Sequence, residues 1–90
     1  MIRPTPEELE QRLRERFPEA VEIEVIDDSA AHAGHAGALS GAGHYRVRIV
    51  STRFADRVPV ARHRLVYDAV HDWIPVRIHA LSIDAQTPAA

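Results

Sequence analysis

Histidine is the residue type in this sequence best able to hold a metal ion. The chain has six histidines and no cysteine among its 90 residues, which excludes disulfides, thiolate zinc sites and a cysteine nucleophile. His32 and His35 form a His-x-x-His pair in a stretch rich in alanine and glycine, a spacing that could bind zinc or nickel. Histidines in such a stretch can also be simply solvated. Any further ligand must be a histidine, a carboxylate or a group supplied by a partner.

A second chemically suggestive group is the run of basic residues in the middle of the chain. Arg62, His63 and Arg64, together with Arg57, stand where a helix is expected to begin. Guanidinium groups beside a helix N-terminus would attract a phosphate or a carboxylate. The alternative is a solvated helix face bonded to the sheet or to Asp68. The net charge of −2 does not favour general affinity for nucleic acid.

Residues for covalent catalysis are poorly arranged. Asp28, Ser29 and His32 have the residue types of a Ser–His–Asp triad, but they lie in a predicted loop without a positioned oxyanion site. The chain also lacks a glycine-rich phosphate loop. We therefore expect a binding function rather than an enzymatic one.

The apolar pattern predicts the elements that must position these residues. They are a helix from a Thr5-Pro6-Glu7-Glu8 capping box to Pro18, strands over Val21–Val25, Tyr45–Ser51 and Arg77–Ala85, and a helix from Val60 to about Trp73. The stretch 27–43 is expected to be a mobile loop and 86–90 a loose tail. A three-stranded sheet covered by helices on one face would bury these apolar stripes.

The length of 90 residues predicts a single domain over 1–90. No apolar run approaches the length of a membrane span, and the N-terminus does not resemble a signal peptide. We expect a cytoplasmic protein without membrane contact, either monomeric or weakly homodimeric.

Four motifs, in one order and spacing, carry a resemblance to a known family. They are Ile49-Val50-Ser51-x-x-Phe54, Arg62-His63-Arg64-x-Val66-Tyr67, Ile78-His79-Ala80-Leu81-Ser82-Ile83 and Thr87-Pro88. With them the sequence resembles the BolA family over nearly its whole length. The resemblance implies an α+β fold of order αββααβ, with a three-stranded mixed sheet, helices on one face, and a likeness to the class II K-homology (KH) domain.

Members of the BolA family pair with monothiol glutaredoxins of the CGFS type. The pair shares a 2Fe–2S cluster in iron–sulfur trafficking and in iron or redox regulation. For this chain the resemblance implies a glutaredoxin partner and a 2Fe–2S cluster that is held only in the complex with glutaredoxin and glutathione.

The resemblance assigns one cluster ligand to His79 and the second to the loop, where His32 comes first and His35 second. His44, at the start of the second strand, ranks behind both. Imidazole ligands raise a cluster's reduction potential and make its binding depend on pH. On residue chemistry alone, His79 is more often a strand histidine bonded to a backbone carbonyl. A protein-interaction module without metal therefore stays open.

Some bacterial members of the family are DNA-binding regulators of stress and cell-shape genes. Here that alternative would use Arg57, Arg62, His63 and Arg64. The family usually has Phe-x-Gly-Lys/Arg after the second strand, whereas this chain has Phe54-Ala55-Asp56-Arg57. Aspartate tolerates a left-handed backbone better than most residues, so the turn can persist. The close approach to phosphate that glycine permits is less favourable, and we therefore prefer the glutaredoxin adaptor.

Overall fold

The computed structural model describes residues 3–29 and 42–89. In chain order the elements are α1 (Pro6–Arg16), β1 (Glu22–Asp27), β2 (Gly43–Val50), a 3-10 turn (Thr52–Phe54), α2 (Pro59–Val70), a second 3-10 turn (His71–Trp73) and β3 (Ile78–Gln86). The predicted α+β class is confirmed, and the segments on either side of α2 contain 3-10 turns rather than a further α-helix. None of the helices in the described ranges is long and apolar enough to cross a membrane.

Several element boundaries differ from the sequence-based prediction. The loop expected over 27–43 is shorter at both ends because Asp27 closes β1 and Gly43 opens β2. Its predicted mobility concerns residues 30–41, which lie outside the described residues. The tail begins one residue late, because β3 includes Gln86. The α-helical part of α2 ends at Val70 rather than near Trp73, and the chain then tightens ahead of Pro75, which cannot continue a helix.

The sheet is mixed, with the strand order β1-β2-β3. β1 and β2 form an antiparallel hairpin, whereas β2 and β3 run parallel and are joined through α2. The register moves from Gly43 opposite Ile78 to His44 opposite Ala80. His79 is therefore the extra residue of a β-bulge, a feature that re-aims a side chain relative to the regular strand.

Both helices pack on one face of this sheet, as predicted. Thr5 and Glu8 form the expected capping box, with N–H···O distances of 2.9 and 3.1 Å. The core combines apolar residues of the helices with those of one sheet face: Leu9, Leu13, Phe17, Ile23, Tyr45, Val47, Ile49, Val66, Ala69, Val70, Ile78, Leu81 and Ala85. The opposite sheet face is polar, and Arg48 there forms ion pairs with Glu22 (2.8 Å) and Asp84 (3.3 Å).

Tyr45 explains why glycine stands at the start of β2. Its ring lies against the α-carbon of Gly43, in the space that a β-carbon at position 43 would occupy. The Tyr45 hydroxyl donates a hydrogen bond to the carbonyl of Pro4. Burial raises the pKa of Tyr45 to about 12. This tyrosine thus ties the segment before α1 to the central strand.

The turn that precedes α2 has an aspartate in the left-handed backbone conformation. Asp56 has a φ of 59°, which is the left-handed region that glycine adopts most readily. The expectation that aspartate would sustain this turn is confirmed.

Candidate functional site

A cleft of about 360 Å³ opens where β2 and β3 begin. It is lined by Asp28, His44, Tyr45, Tyr67, His79, Ala80, Leu81 and Ser82. Because β2 and β3 are neighbouring parallel strands, their first residues lie at the same end of the sheet. This geometry brings His44 and His79 together from positions 35 residues apart in the sequence.

His44 and His79 form a pair of neighbouring imidazoles. Their ring centres are 5.1 Å apart and their planes are tilted by 53°. Two imidazoles bound to one ion, with metal–nitrogen bonds of about 2.1 Å, have ring centres no more than roughly 6.5 Å apart. The observed separation lies within that limit. His44 is only 5% exposed, whereas His79 on the bulge is exposed, so the pair has a buried member and a member open to solvent.

The backbone of His44 is held by the residues that follow β1. Its N–H donates to the Ser29 hydroxyl (3.1 Å), and its carbonyl accepts from the N–H of Asp28 (2.7 Å). Ser29 in turn donates its N–H to the carboxylate of Asp27 (2.9 Å). Burial alone would raise the pKa of Asp27, but the hydrogen bonds from Ser29 outweigh it and the pKa lies below its ordinary value. The backbone that carries the buried imidazole is therefore hydrogen-bonded on both sides to the residues that follow β1.

Tyr67 forms the wall of the cleft on the α2 side. Its hydroxyl donates to the carbonyl of Leu81 (3.1 Å), two residues beyond His79. This bond fixes β3 next to its bulge and so limits where His79 can lie. Sequence reasoning did not assign Tyr67 a role, although it belongs to the Arg62–Tyr67 motif that carried the family resemblance.

Two of the predicted anion-binding arginines are engaged by backbone carbonyls. Arg57 donates from Nε to the carbonyl of Arg53 (3.0 Å). Arg62 donates from Nε to the carbonyl of Arg57 (2.9 Å) and from Nη1 to that of Ala85 (3.0 Å). Both guanidiniums thus stabilise the turn before α2 and its contact with β3.

The other two predicted anion-binding residues face solvent. His63 and Arg64 are exposed, and within the described ranges neither side chain makes a hydrogen bond or an ion pair. Asp68, the alternative partner that the sequence suggested for these basic residues, does not form an ion pair with Arg64. The predicted four-residue anion site is therefore divided, with Arg57 and Arg62 structural and His63 and Arg64 available to a ligand.

A family model described as BolA-like protein matches residues 13–90 of this chain. The chain belongs to the BolA family. The BolA motifs quoted from the sequence lie in three parts of the fold: β2 with the turn that follows it, α2, and β3 with His79.

Several relatives resemble this BolA protein along most of its length. SufE-like protein 1, chloroplastic/mitochondrial, of Arabidopsis thaliana is 46% identical over 86 residues, which cover 87% of this chain and 23% of the relative. BolA-like protein 1 of Mus musculus is 37% identical over 90% of this chain and 59% of its own length. The chain thus spans about a quarter of the first relative and somewhat over half of the second.

A bacterial relative is covered more fully. The DNA-binding transcriptional regulator BolA of Vibrio cholerae is 41% identical over 80 residues, which are 88% of this chain and 71% of the relative. Among solved structures, the BolA domain of SufE1 from Arabidopsis thaliana has a TM-score of 0.79 and 40% sequence identity, covering 92% of this chain and 91% of that one.

Of the three predicted metal ligands, the described structure includes one. His79 lies in the cleft beside His44, the histidine that sequence reasoning ranked behind the loop. His32 and His35 lie outside the described residues. Across residues 3–29 and 42–89, no group of three or more His, Cys, Asp or Glu could hold a metal ion. Of the described residues, the cleft is lined by two imidazoles, those of His44 and His79, and a complete site needs ligands from elsewhere.

Proposed function

We propose that this BolA-family protein is an adaptor that binds a monothiol CGFS glutaredoxin and shares a 2Fe–2S cluster with it. The His44–His79 imidazole pair is the observation that carries the proposal. Two imidazoles at a solvent-open cleft suit one half of a bridging site, in which the partner's cysteine and glutathione supply the other ligands. Imidazole in place of thiolate raises the reduction potential of such a cluster.

His79 is the first proposed ligand, because it lines the cleft and is exposed to solvent. The second imidazole would come from His44 or from the segment that contains His32 and His35. His44 has the advantage of a fixed position, since its backbone is bonded to Asp28 and Ser29. The residue is also almost completely shielded from solvent, with an exposure of 5%. The chain on its own would hold a cluster weakly.

Anaerobic cluster reconstitution with a monothiol glutaredoxin and glutathione tests this function. Visible absorption and circular dichroism should give a spectrum distinct from that of the glutaredoxin alone. His79→Ala should return the spectrum to that of the glutaredoxin, whereas His71→Ala, at an exposed histidine outside the cleft, should not. His44→Ala, His32→Ala and His35→Ala then identify the second ligand. If the reconstituted mixture gave the same spectrum with the wild type and with His79→Ala, His79 would be excluded as a ligand.

DNA binding is the second candidate, and the relative named as a DNA-binding transcriptional regulator supports it. Arg57 and Arg62 are poor probes of it, because replacing them breaks hydrogen bonds within the fold. Arg64→Ala is the informative variant. If the protein is a regulator, DNA affinity should fall steeply with salt, and this variant should reduce the salt slope by about one unit. Affinity that does not change in Arg64→Ala would count against this surface as a DNA contact.

A further inference from the structure

A second cleft, of about 270 Å³, lies between α1 and α2. We refer to it as the interhelical cleft. It is lined by Arg16, Phe17, Arg53, Leu65, Asp68 and Ala69, none of which lines the cleft of the two imidazoles. Small-molecule sites usually have volumes of roughly 300–1,000 Å³. The interhelical cleft therefore suits a ligand with only a few carbon atoms.

Much of the lining of the interhelical cleft is apolar. Phe17 and Ala69 are 2% and 6% exposed, and Leu65 is half-buried against the same core. The Arg53 guanidinium lies over the Phe17 ring, 5.0 Å from its centre. Arg53 is held there by the carboxylate of Glu19 (3.0 Å) and by the carbonyl of Arg16 (2.8 Å). The cleft thus has an apolar surface beside a guanidinium whose charge is already neutralised.

Two further residues of the interhelical cleft carry opposite charges. Arg16 is the last residue of α1, whereas Asp68 lies on the face of α2 that also carries Leu65. Both are exposed, and within the described ranges neither side chain forms a hydrogen bond or an ion pair. They therefore do not neutralise each other across the cleft. Each charge is available to an ion of the opposite sign.

We propose that the interhelical cleft binds a small ω-amino carboxylate, in which an aliphatic chain separates an ammonium from a carboxylate. The carboxylate would pair with Arg16 and the ammonium with Asp68, while the chain covers the apolar lining. A ligand with a single charge would leave one of the two residues unpaired. A free ω-amino acid and the carboxy-terminal lysine of another protein both present this chemistry. The proposal is independent of glutaredoxin binding and cluster sharing.

Titration of the full chain with ε-aminocaproate, followed by amide nuclear magnetic resonance signals, tests the proposal. Signals of Arg16, Leu65 and Ala69 should shift, with a dissociation constant of about 1–10 mM. Caproate and hexylamine each lack one of the charges and should bind about threefold more weakly. Nα-acetyl-lysine resembles a carboxy-terminal lysine. If it binds at least as tightly as ε-aminocaproate, a protein terminus is the favoured source, and if it binds more weakly, a free ω-amino acid is.

Two variants of the cleft give opposite expectations for the singly charged ligands. Arg16→Gln should lower the affinity for ε-aminocaproate about threefold and leave that for hexylamine unchanged. Asp68→Asn should lower the affinity for ε-aminocaproate equally but leave that for caproate unchanged. Arg64→Gln and Glu24→Gln are the matched controls, since each removes an exposed charge of the same sign outside the cleft. Both controls should bind as the wild type does.

Three results would overturn the proposal. The first is the absence of shifts at the interhelical cleft, or shifts confined to other surfaces. The second is equal affinity for ε-aminocaproate, caproate and hexylamine, because the two charges would then play no part. The third is wild-type affinity for ε-aminocaproate in both Arg16→Gln and Asp68→Asn.

Discussion

The guanidinium carbon of Arg12 lies 4.1 Å from the centre of the Trp73 ring. Arg77 lies against the same ring at 4.7 Å. Arg12 also forms a two-pronged ion pair with Asp72, with distances of 2.7 and 3.2 Å. One side chain of α1 thus binds the turn between α2 and β3, far away in the sequence.

We expect Arg12→Ala to lower the free energy of unfolding by about 1 kcal/mol, because a cation–π contact and hydrogen bonds are lost together. The fluorescence of Trp73 should also change, because one of the two guanidinium groups that lie over its ring is removed. Denaturant titration of the variant measures both effects. Arg14→Ala, which removes only an exposed pair with Glu10 on the same helix, should cost no more than about 0.5 kcal/mol. Equal losses in both variants would contradict the role of Arg12.

Tyr45 should make the protein less stable at high pH. Its pKa is raised to about 12 in the folded state, against about 10 for an unperturbed tyrosine. The neutral phenol therefore stabilises the fold fully below about pH 10, and this contribution is lost as the pH rises toward the folded value. Denaturant titrations across that interval should show a decline that Tyr45→Phe reduces. Tyr67→Phe is the control, and a decline equal to the wild type's in Tyr45→Phe would assign the effect elsewhere.

Asp56→Gly should stabilise the turn before α2. Aspartate at a φ of 59° holds a left-handed backbone that glycine adopts at little cost. We expect a gain of about 0.5–1 kcal/mol in the free energy of unfolding, measured by the denaturation midpoint. Asp56→Val should instead destabilise the protein, because a branched β-carbon is disfavoured there. A loss of stability with glycine would show that the aspartate side chain matters more than the backbone.

Tyr67→Phe should loosen β3 near the bulge. The substitution keeps the ring but removes the hydrogen bond to Leu81, which is worth about 1 kcal/mol. Amide hydrogen exchange close to His79 should become roughly fivefold faster, while exchange in β1 stays as in the wild type. A uniform acceleration across the sheet would indicate a global loss of stability instead.

Local sequence patterns predicted the helices and strands well, but they did not predict which residues of different elements come into contact. The capping box of Thr5 and Glu8 and the alternation of β1 are each formed by residues close together in the sequence, so each pattern can be seen in the sequence directly. The pairing of His44 with His79 depends on a parallel register across α2, which no local pattern encodes. One signal was available: Ile78 and Leu81 are both apolar but three residues apart, which breaks strand alternation and marks the bulge at His79.

The hydrogen bonds from Arg62 and Tyr67 to β3 also bear on self-association. β3 is an edge strand, and since the Gln86 carbonyl accepts from Ser51 on the β2 side, the carbonyls of Leu81 and Ala85 face outward by strand alternation. Those two carbonyls are the ones that Tyr67 and Arg62 occupy. A stray strand from another molecule would have to displace both side chains before it could pair there. The protein can thus leave the strand that carries His79 at the margin of the sheet without offering it as a template for aggregation.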